Sequence, residues 1–166
     1  SRTKTVYFVY SGEVMLYNLT KHGNRKVIFI LGKGRLLNQS IVSKKPNALF
    51  CEAACPVQIL EIAEEPFLNL MEQSHDLTRA VLREYERNLW RMGHQLKNTT
   101  GNMQMERKIA AKLWKLGRDF GVDTEDGVMI DIDLTITLMA DLVGAPRENV
   151  SRACKVLTDR VLIHYG

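Results

Sequence analysis

The hydrophobic period of this chain changes once, near residue 70, from two to about 3.6, and that change limits what each half can become. Before it, Val6-Tyr7-Phe8-Val9-Tyr10 is β-branched and aromatic and stops at Ser11-Gly12. Glu13-Val14-Met15-Leu16-Tyr17 reads as a second strand, Lys21-His22-Gly23-Asn24 as a turn, and Val27-Ile28-Phe29-Ile30-Leu31 as a third strand. Gly32-Lys33-Gly34 and Lys44-Lys45-Pro46-Asn47 mark loops, and a further strand pair surrounds Ala48-Leu49-Phe50-Cys51 and Val57-Gln58-Ile59-Leu60-Glu61-Ile62. Short strands separated by glycine-containing turns predict an antiparallel sandwich or roll.

After the change, Ser74 is a natural N-cap and the next segment runs to about Asn98 without proline. Leu77, Val81, Tyr85, Leu89, Met92 and Leu96 follow at steps of four, four, four, three and four, which predicts one apolar seam on a long helix. The seam could pack on the chain's own sheet or on a second copy. A helix this long exceeds what a small sheet domain covers, so self-association through these six residues is the expectation. Arg79, Arg83, Arg87 and Arg91 form a second stripe, read as a solvated face or as a docking surface for an acidic partner. Asn98-Thr99-Thr100-Gly101-Asn102 breaks the helix and marks a hinge; a second amphipathic helix carries Ile109, Leu113, Leu116 and Phe120, with Gly121 as its C-cap.

Composition narrows the class. Of 166 residues, 45% are hydrophobic and 25% charged, which excludes wholesale disorder. No apolar run approaches the ~20 residues needed to cross a bilayer, and three cysteines are too few for a disulfide scaffold, so a cytoplasmic protein is expected. The net charge of +4 is uneven: residues 1–100 hold fourteen basic and nine acidic side chains, residues 101–166 nine and ten.

Residues 134–163 carry the strongest functional signal. Thr135 can cap a short helix with apolar Leu138, Met139 and Leu142. Ala140 is small where a second helix must cross closely, Gly144 permits a tight turn, and Val150 anchors the second helix. That spacing predicts a helix-turn-helix whose second helix displays Arg147, Glu148, Ser151 and Arg152 outward. Arginine can donate two parallel hydrogen bonds to guanine O6 and N7, and a carboxylate can accept from cytosine N4. Two surface helices with an ordinary exposed ion pair would need none of these spacings.

At these residues the chain resembles the Crp/Fnr superfamily of bacterial transcription regulators. Tyr7-Phe8-Val9-Tyr10-Ser11-Gly12-Glu13-Val14 is similar to that family's opening strand pair, and Glu106-Arg107-Lys108-Ile109-Ala110 with Leu113 to the start of its first DNA-domain helix. The resemblance implies an α+β chain: an antiparallel, cyclic-nucleotide-binding-like β-roll that senses an effector over residues 1–71, partial at its start; a dimerisation helix and hinge over 72–100; and a winged helix-turn-helix over 101–166 whose wing is incomplete. By motif position, Arg147, Glu148, Ser151 and Arg152 are the implied base contacts, and Thr135, Asn149 and Lys155 the implied backbone contacts. The implied partners are double-stranded DNA with a near-palindromic operator, a second copy of the chain, RNA polymerase and a small-molecule effector, without a membrane.

The chain departs from the family pattern in three ways. It opens within an early strand and stops at His164-Tyr165-Gly166, where the wing would begin. Pro146 stands where Ser or Thr is usual, which suits a first helical turn but offers no hydroxyl, and Ile136 replaces a residue that is often polar. Asn38-Gln39 and Asn47-Ala48 stand where the cyclic-nucleotide form carries a Gly-Glu pair for the ribose and an Arg-Ser pair for the phosphate, and Gly93-His94 stands at the adenine position. Asn38, Gln39, Asn47, Ala48 and His94 therefore mark an effector pocket, but one without the phosphate-binding arginine, so the effector is expected not to be cyclic AMP.

No other chemistry stands out. Cys51 and Cys55 lack Cys/His partners at metal spacing and read as structural or as a redox switch, with Cys154 packed behind the reading helix. No metal or cofactor is expected. His22, His75, His94 and His164 are isolated, no nucleophile–base group emerges, and Gly32-x-Gly34 lacks the rest of a nucleotide loop, so no enzyme is expected. The reading is a DNA-binding regulator; its rival is a ligand module whose helix-turn-helix makes protein contacts without DNA.

Overall fold

The computed structural model describes residues 4–21, 23–43, 45–99 and 103–165, with the backbone alone at 97–99. His22, Lys44 and most of the expected hinge at 98–102 lie outside the described residues. By internal contacts the chain forms two compact units, Ser1–Asn18 with Ile28–Lys97, and Leu19–Val27 with Asn98–Gly166.

The alternating segments become strands β1 (Thr5–Ser11), β2 (Val14–Leu19), β3 (Arg25–Leu31), β4 (Phe50–Ala53) and β5 (Gln58–Ala63), of which Leu19 and the opening of β3, Arg25 to Val27, belong to the second unit and the rest to the first. The expected late strand pair does not pair with itself. β5 runs antiparallel to β1, from Thr5↔Ala63 to Ser11↔Gln58 with a bulge after Val9, and β4 runs antiparallel to β2, which also borders β3. Gly12 turns β1 into β2 at φ +77°, and a Cβ there would lie 2.5 Å from the Pro56 carbonyl oxygen. The alternation buries Val6, Val9, Val14, Leu16, Val27, Phe29 and Leu31.

Helix α1 (Glu64–Gln73) was not anticipated; two glutamates in its first turn complement the helix dipole, and Phe67 is its buried anchor. Helix α2 (His75–Thr99) starts as expected, with the Leu77 N–H donating to Ser74 Oγ at 3.2 Å. Val81 joins Val6, Leu36, Ile41 and Phe67 in one core cluster, with Leu77 and Tyr85 packed against it. The first half of the expected partner seam is thus part of the unit's own core.

The second unit holds α3 (Met105–Phe120), β6 (Gly121–Thr124), β7 (Gly127–Ile130), α4 (Ile136–Val143) and α5 (Arg147–Asp159). Ile109 and Leu116 are the buried residues of α3, while Leu113 and Phe120 are half-buried. The β6–β7 hairpin was missed at the sequence level, although Asp126-Gly127 is a hairpin-turn signature and Gly127 takes φ +138°. Gly121 does end α3, but for another reason than a left-handed cap: it is extended, at φ −79° and ψ 140°. A Cβ there would lie 2.0 Å from the Gly117 carbonyl oxygen and 2.6 Å from Val128 Cγ1. Gly121→Ala should therefore cost about 1–3 kcal/mol through backbone displacement. Urea unfolding monitored by tryptophan fluorescence checks this, and an unchanged midpoint would show that the hairpin has room.

Candidate nucleic-acid interface

The helix-turn-helix is built as its spacing requires. Thr135 Oγ1 accepts from the Leu138 N–H at 3.1 Å and caps α4. Gly144 takes φ +71°, and its N–H and that of Ala145 both return to the Ala140 carbonyl, at 2.8 and 3.2 Å. Leu138, Met139, Ala140, Leu142 and Val143 of α4 are buried together with Val150, Ala153, Cys154 and Leu157 of α5. Burial pushes the Cys154 thiol above its ordinary range, as befits a packing residue.

With that face committed to the core, Arg147, Glu148, Ser151, Arg152 and Lys155 are all exposed on the other, and Asn149 is half-buried. Arg152 Nη2 donates to Asn149 Oδ1, one turn away, so the guanidinium is held along the helix surface. Pro146 is the N-cap, one place before the first turn where it was expected; its carbonyl accepts from the Asn149 and Val150 N–H groups, and it supplies no side-chain cap. The N–H groups of the first turn therefore lack the usual hydroxyl partner. Thr135 is exposed but spends its oxygen on the α4 cap, and Ile136 is half-buried.

Two side chains from the segment before β3's apolar run brace α4. Arg25 Nε donates to Asp141 Oδ2 at 2.7 Å, and Lys26 Nζ to the Leu142 carbonyl at 3.0 Å. Burial lowers the Lys26 pKa, with Lys108 adding to the effect, and burial holds Lys112 down to about 8, helped by Lys115 and Lys26. Neither brace has a sequence signal, because residue separations above a hundred leave no periodic trace.

Charge is segregated within this unit. Residues 119–133 carry six carboxylates and no Lys or Arg, three of them exposed at the β6–β7 hairpin, Asp123, Glu125 and Asp126. The rest of 101–166 holds all nine basic side chains against four acidic ones.

The expected effector residues do different things. Asn38 is buried, accepts from the Tyr7 N–H at 2.7 Å, and donates to the Thr5 carbonyl at 2.9 Å; it holds β1 in place. Gln39, Asn47 and Ala48 are joined to one another: the Gln39 N–H donates to Asn47 Oδ1 at 3.1 Å, and the Ala48 N–H to Gln39 Oε1 at 2.8 Å. His94 stacks on Trp90 of α2 with ring centroids 3.8 Å apart and is not brought to that loop by any described contact. Cys55 Sγ donates to Glu13 Oε2 at 2.8 Å, and among the described residues no Cys, His, Asp and Glu group could hold a metal ion.

The seam and the arginine stripe on α2 both need correction. Leu82, Leu89, Met92 and Leu96 are 55, 73, 46 and 65% exposed, and with half-buried Tyr85 they follow steps of three, four, three and four. That is the a/d pattern of a coiled coil, and it includes Leu82, which the sequence reading missed, in place of buried Val81. Arg79, Arg83 and Arg87 are exposed, whereas Arg91 is buried, so the stripe is not one solvated face.

Residues 1–74 match the cyclic nucleotide-binding domain family, and residues 107–166 match the Crp-like helix-turn-helix domain family. The cAMP-activated global transcriptional regulator CRP of Haemophilus influenzae is 26% identical over 165 residues, covering 96% of this chain and 71% of that protein. The global nitrogen regulator of Nostoc sp. is 24% identical over 161 residues, covering 95% and 72%. Among solved structures, FixK2 from Bradyrhizobium japonicum superposes with a TM-score of 0.83 at 19% identity, covering all of this chain and 80% of that one. The c-di-GMP responsive global regulator CLP of Xanthomonas campestris gives 0.79 at 18%, covering 100% and 83%. The structural likenesses show the fold; the Crp-like helix-turn-helix match and the relatives named above are those of transcriptional regulators. No described helix is long and apolar enough to cross a membrane.

The end of α5 carries local strain. The Leu162 N–H returns to the Leu157 carbonyl at 3.0 Å and the Val161 N–H to Thr158 at 2.8 Å, a Schellman closure with Val161 at the left-handed position, φ 57°. A β-branched residue there costs ~1–2 kcal/mol, and Val161 is 90% exposed, so its side chain gives little packing in return. Val161→Gly, after glycine's entropy cost of about 0.5–1 kcal/mol, should stabilise by roughly 0.5–1 kcal/mol. A urea midpoint that falls instead would mean that the valine packs in solution.

Proposed function

Because the chain belongs to the Crp/Fnr superfamily of transcription regulators, we propose that it works as a homodimer reading a near-palindromic operator. It is a DNA-binding regulator of the Crp/Fnr type. In the finer reading, residues 1–71 sense, 72–100 dimerise and 101–166 read DNA. Arg147, Glu148, Ser151 and Arg152 contact bases, and Thr135, Asn149 and Lys155 the backbone, with RNA polymerase and a small molecule as further partners. The observation that carries this reading is the exposure of all four base-contacting candidates on one end of α5 while its other face is buried. The protein-contact rival has no comparable observation on its side.

Thr135 and Asn149 already have partners, so their part in backbone contact is by position, through the start of α4 and through the Arg152 guanidinium. Pro146 leaves first-turn N–H groups available to a phosphate oxygen. Two copies add avidity that residues 101–166, with nine basic against ten acidic groups, need.

Arg152→Ala and Glu148→Ala should each relax preference at one base pair, by about 1–3 kcal/mol of discrimination, while leaving the salt dependence nearly unchanged. Lys155→Ala should weaken all sequences alike and lower the salt slope by about one. Half-site centres should lie about one helical turn apart. Binding to single-base operator variants at two salt concentrations checks all three. An intact base-preference profile in both Arg152→Ala and Glu148→Ala would remove them as readers.

The dimer rests on the exposed a/d series of α2, with Gly93 beside Met92 leaving open space for close approach. Leu77 and Val81 serve the unit's own core, and Tyr85 borders both faces. Asp at both Leu89 and Met92 should give folded monomers, since buried unpaired carboxylates are costly and both sites are exposed in the single chain. Sedimentation of an unchanged dimer would refute this interface. The effector is proposed not to be cyclic AMP, because Asn47-Ala48 supplies no guanidinium for its phosphate.

A further inference from the structure

In the first unit, two consecutive main-chain N–H groups, those of Ala48 and Leu49, point at one atom, Gln39 Oε1, at 2.8 and 3.2 Å. Successive amides converging on one point form a concavity suited to an anionic oxygen. Here the acceptor is an uncharged amide of the chain itself. The same residue is fixed from its other side, because its N–H donates to Asn47 Oδ1 at 3.1 Å. The residue before it, Asn38, is buried and bonded to both Tyr7 and Thr5, so Gln39 leaves a rigid point. Between Gln39 and Asn47, the Ser40 and Ser43 hydroxyls lie 2.7 Å apart and the Lys45 N–H donates to Ser40 Oγ at 3.3 Å.

We propose that the backbone of Asn47, Ala48 and Leu49 is an anion cradle that the chain fills itself, with Gln39 Oε1 in the place of a ligand oxygen, so that the first unit takes up no phosphate-bearing effector. An outside anion would have to displace an acceptor that is already positioned and has no translational freedom to lose. Gln39 is then the residue that sets this specificity. The inference rests on the sensing role proposed for this unit, but it concerns the loop's own chemistry and is tested without DNA.

The loop is connected to α2. The Tyr85 hydroxyl donates to the Asn38 carbonyl at 3.3 Å, and Arg35, three residues earlier, holds Glu84 and Asn88. A filled cradle therefore fixes the loop and the middle of α2 together, with no ligand supplied.

The test is thermal unfolding of the full chain in chloride and in inorganic phosphate at matched ionic strength, and with cyclic AMP added. The natural chain should show no saturable shift with phosphate or cyclic AMP. Gln39→Ala should melt several degrees lower and recover part of the loss with phosphate, saturably. Gln39→Glu keeps an oxygen acceptor for both N–H groups and should melt near the natural chain without a phosphate response. A saturable shift of the natural chain by phosphate or cyclic AMP overturns the proposal, as does a Gln39→Ala chain that neither loses stability nor gains a phosphate response. If Gln39→Ala does not fold, a folded, phosphate-blind Gln39→Glu supports the proposal and an unfolded one overturns it. Failure of DNA binding alone would leave these readings unmoved and would count against the regulator reading.

Discussion

The close crossing of α4 and α5 is the contact on which the second unit's surface depends. Val150 is fully buried there, Ala140 is small enough for the approach, and Gly144 supplies the left-handed turn between the helices. A Cβ on Gly144 would also sit 2.7 Å from Lys26 Nζ and would shift the group that holds the Leu142 carbonyl. Packing on one face fixes the direction of α5 without using its outer residues. Arg147, Glu148, Ser151 and Arg152 are then free to be chosen for what they contact, which is how one scaffold can serve many sequences.

The sequence was most misleading on α2, and one geometric fact explains both errors. A step of four residues turns an α-helix by about 400°, so a strict four-residue series drifts by about 40° per step. Leu77, Val81, Tyr85 and Leu89 are such a series, and across it the side chains pass from the core to solvent. Arg79, Arg83, Arg87 and Arg91 drift by the same angle, and Arg91 arrives on the buried face. A seam that stays on one side of a helix needs alternating steps of three and four, which Leu82, Tyr85, Leu89, Met92 and Leu96 provide. Reading Leu82 into the pattern would have found the exposed series from the sequence alone.

Elsewhere legibility followed the range of the interaction. The strands, the Ser74 and Thr135 caps and the Gly144 turn depend on residues a few places apart, and all were readable. The hairpin at Asp126-Gly127 and helix α1 rest on equally local features, a turn dipeptide and two first-turn glutamates. The pairing of β5 with β1, the bracing of α4 by Arg25 and Lys26, and the closure of the Gln39 loop depend on tertiary position. Gly121 lies between these cases: its place at the end of α3 was legible, but its reason, the proximity of Val128, belongs to the folded hairpin.

Residues 101–166, with nine basic and ten acidic groups, have almost no net attraction for a polyanion, and on that count they would make a poor DNA reader. The six carboxylates of 119–133 change that argument, because screening cuts off exposed charges beyond roughly 8–10 Å and net charge matters less than where it lies. In the proposed reading, phosphates repel the β6–β7 hairpin and attract the remaining surface, which carries more than twice as many basic as acidic groups. The near-zero sum is therefore a polarity. In the proposed reading it limits the orientations in which the unit approaches a duplex before any base is touched, and it leaves affinity to the few groups on α5 and to the pairing of two chains.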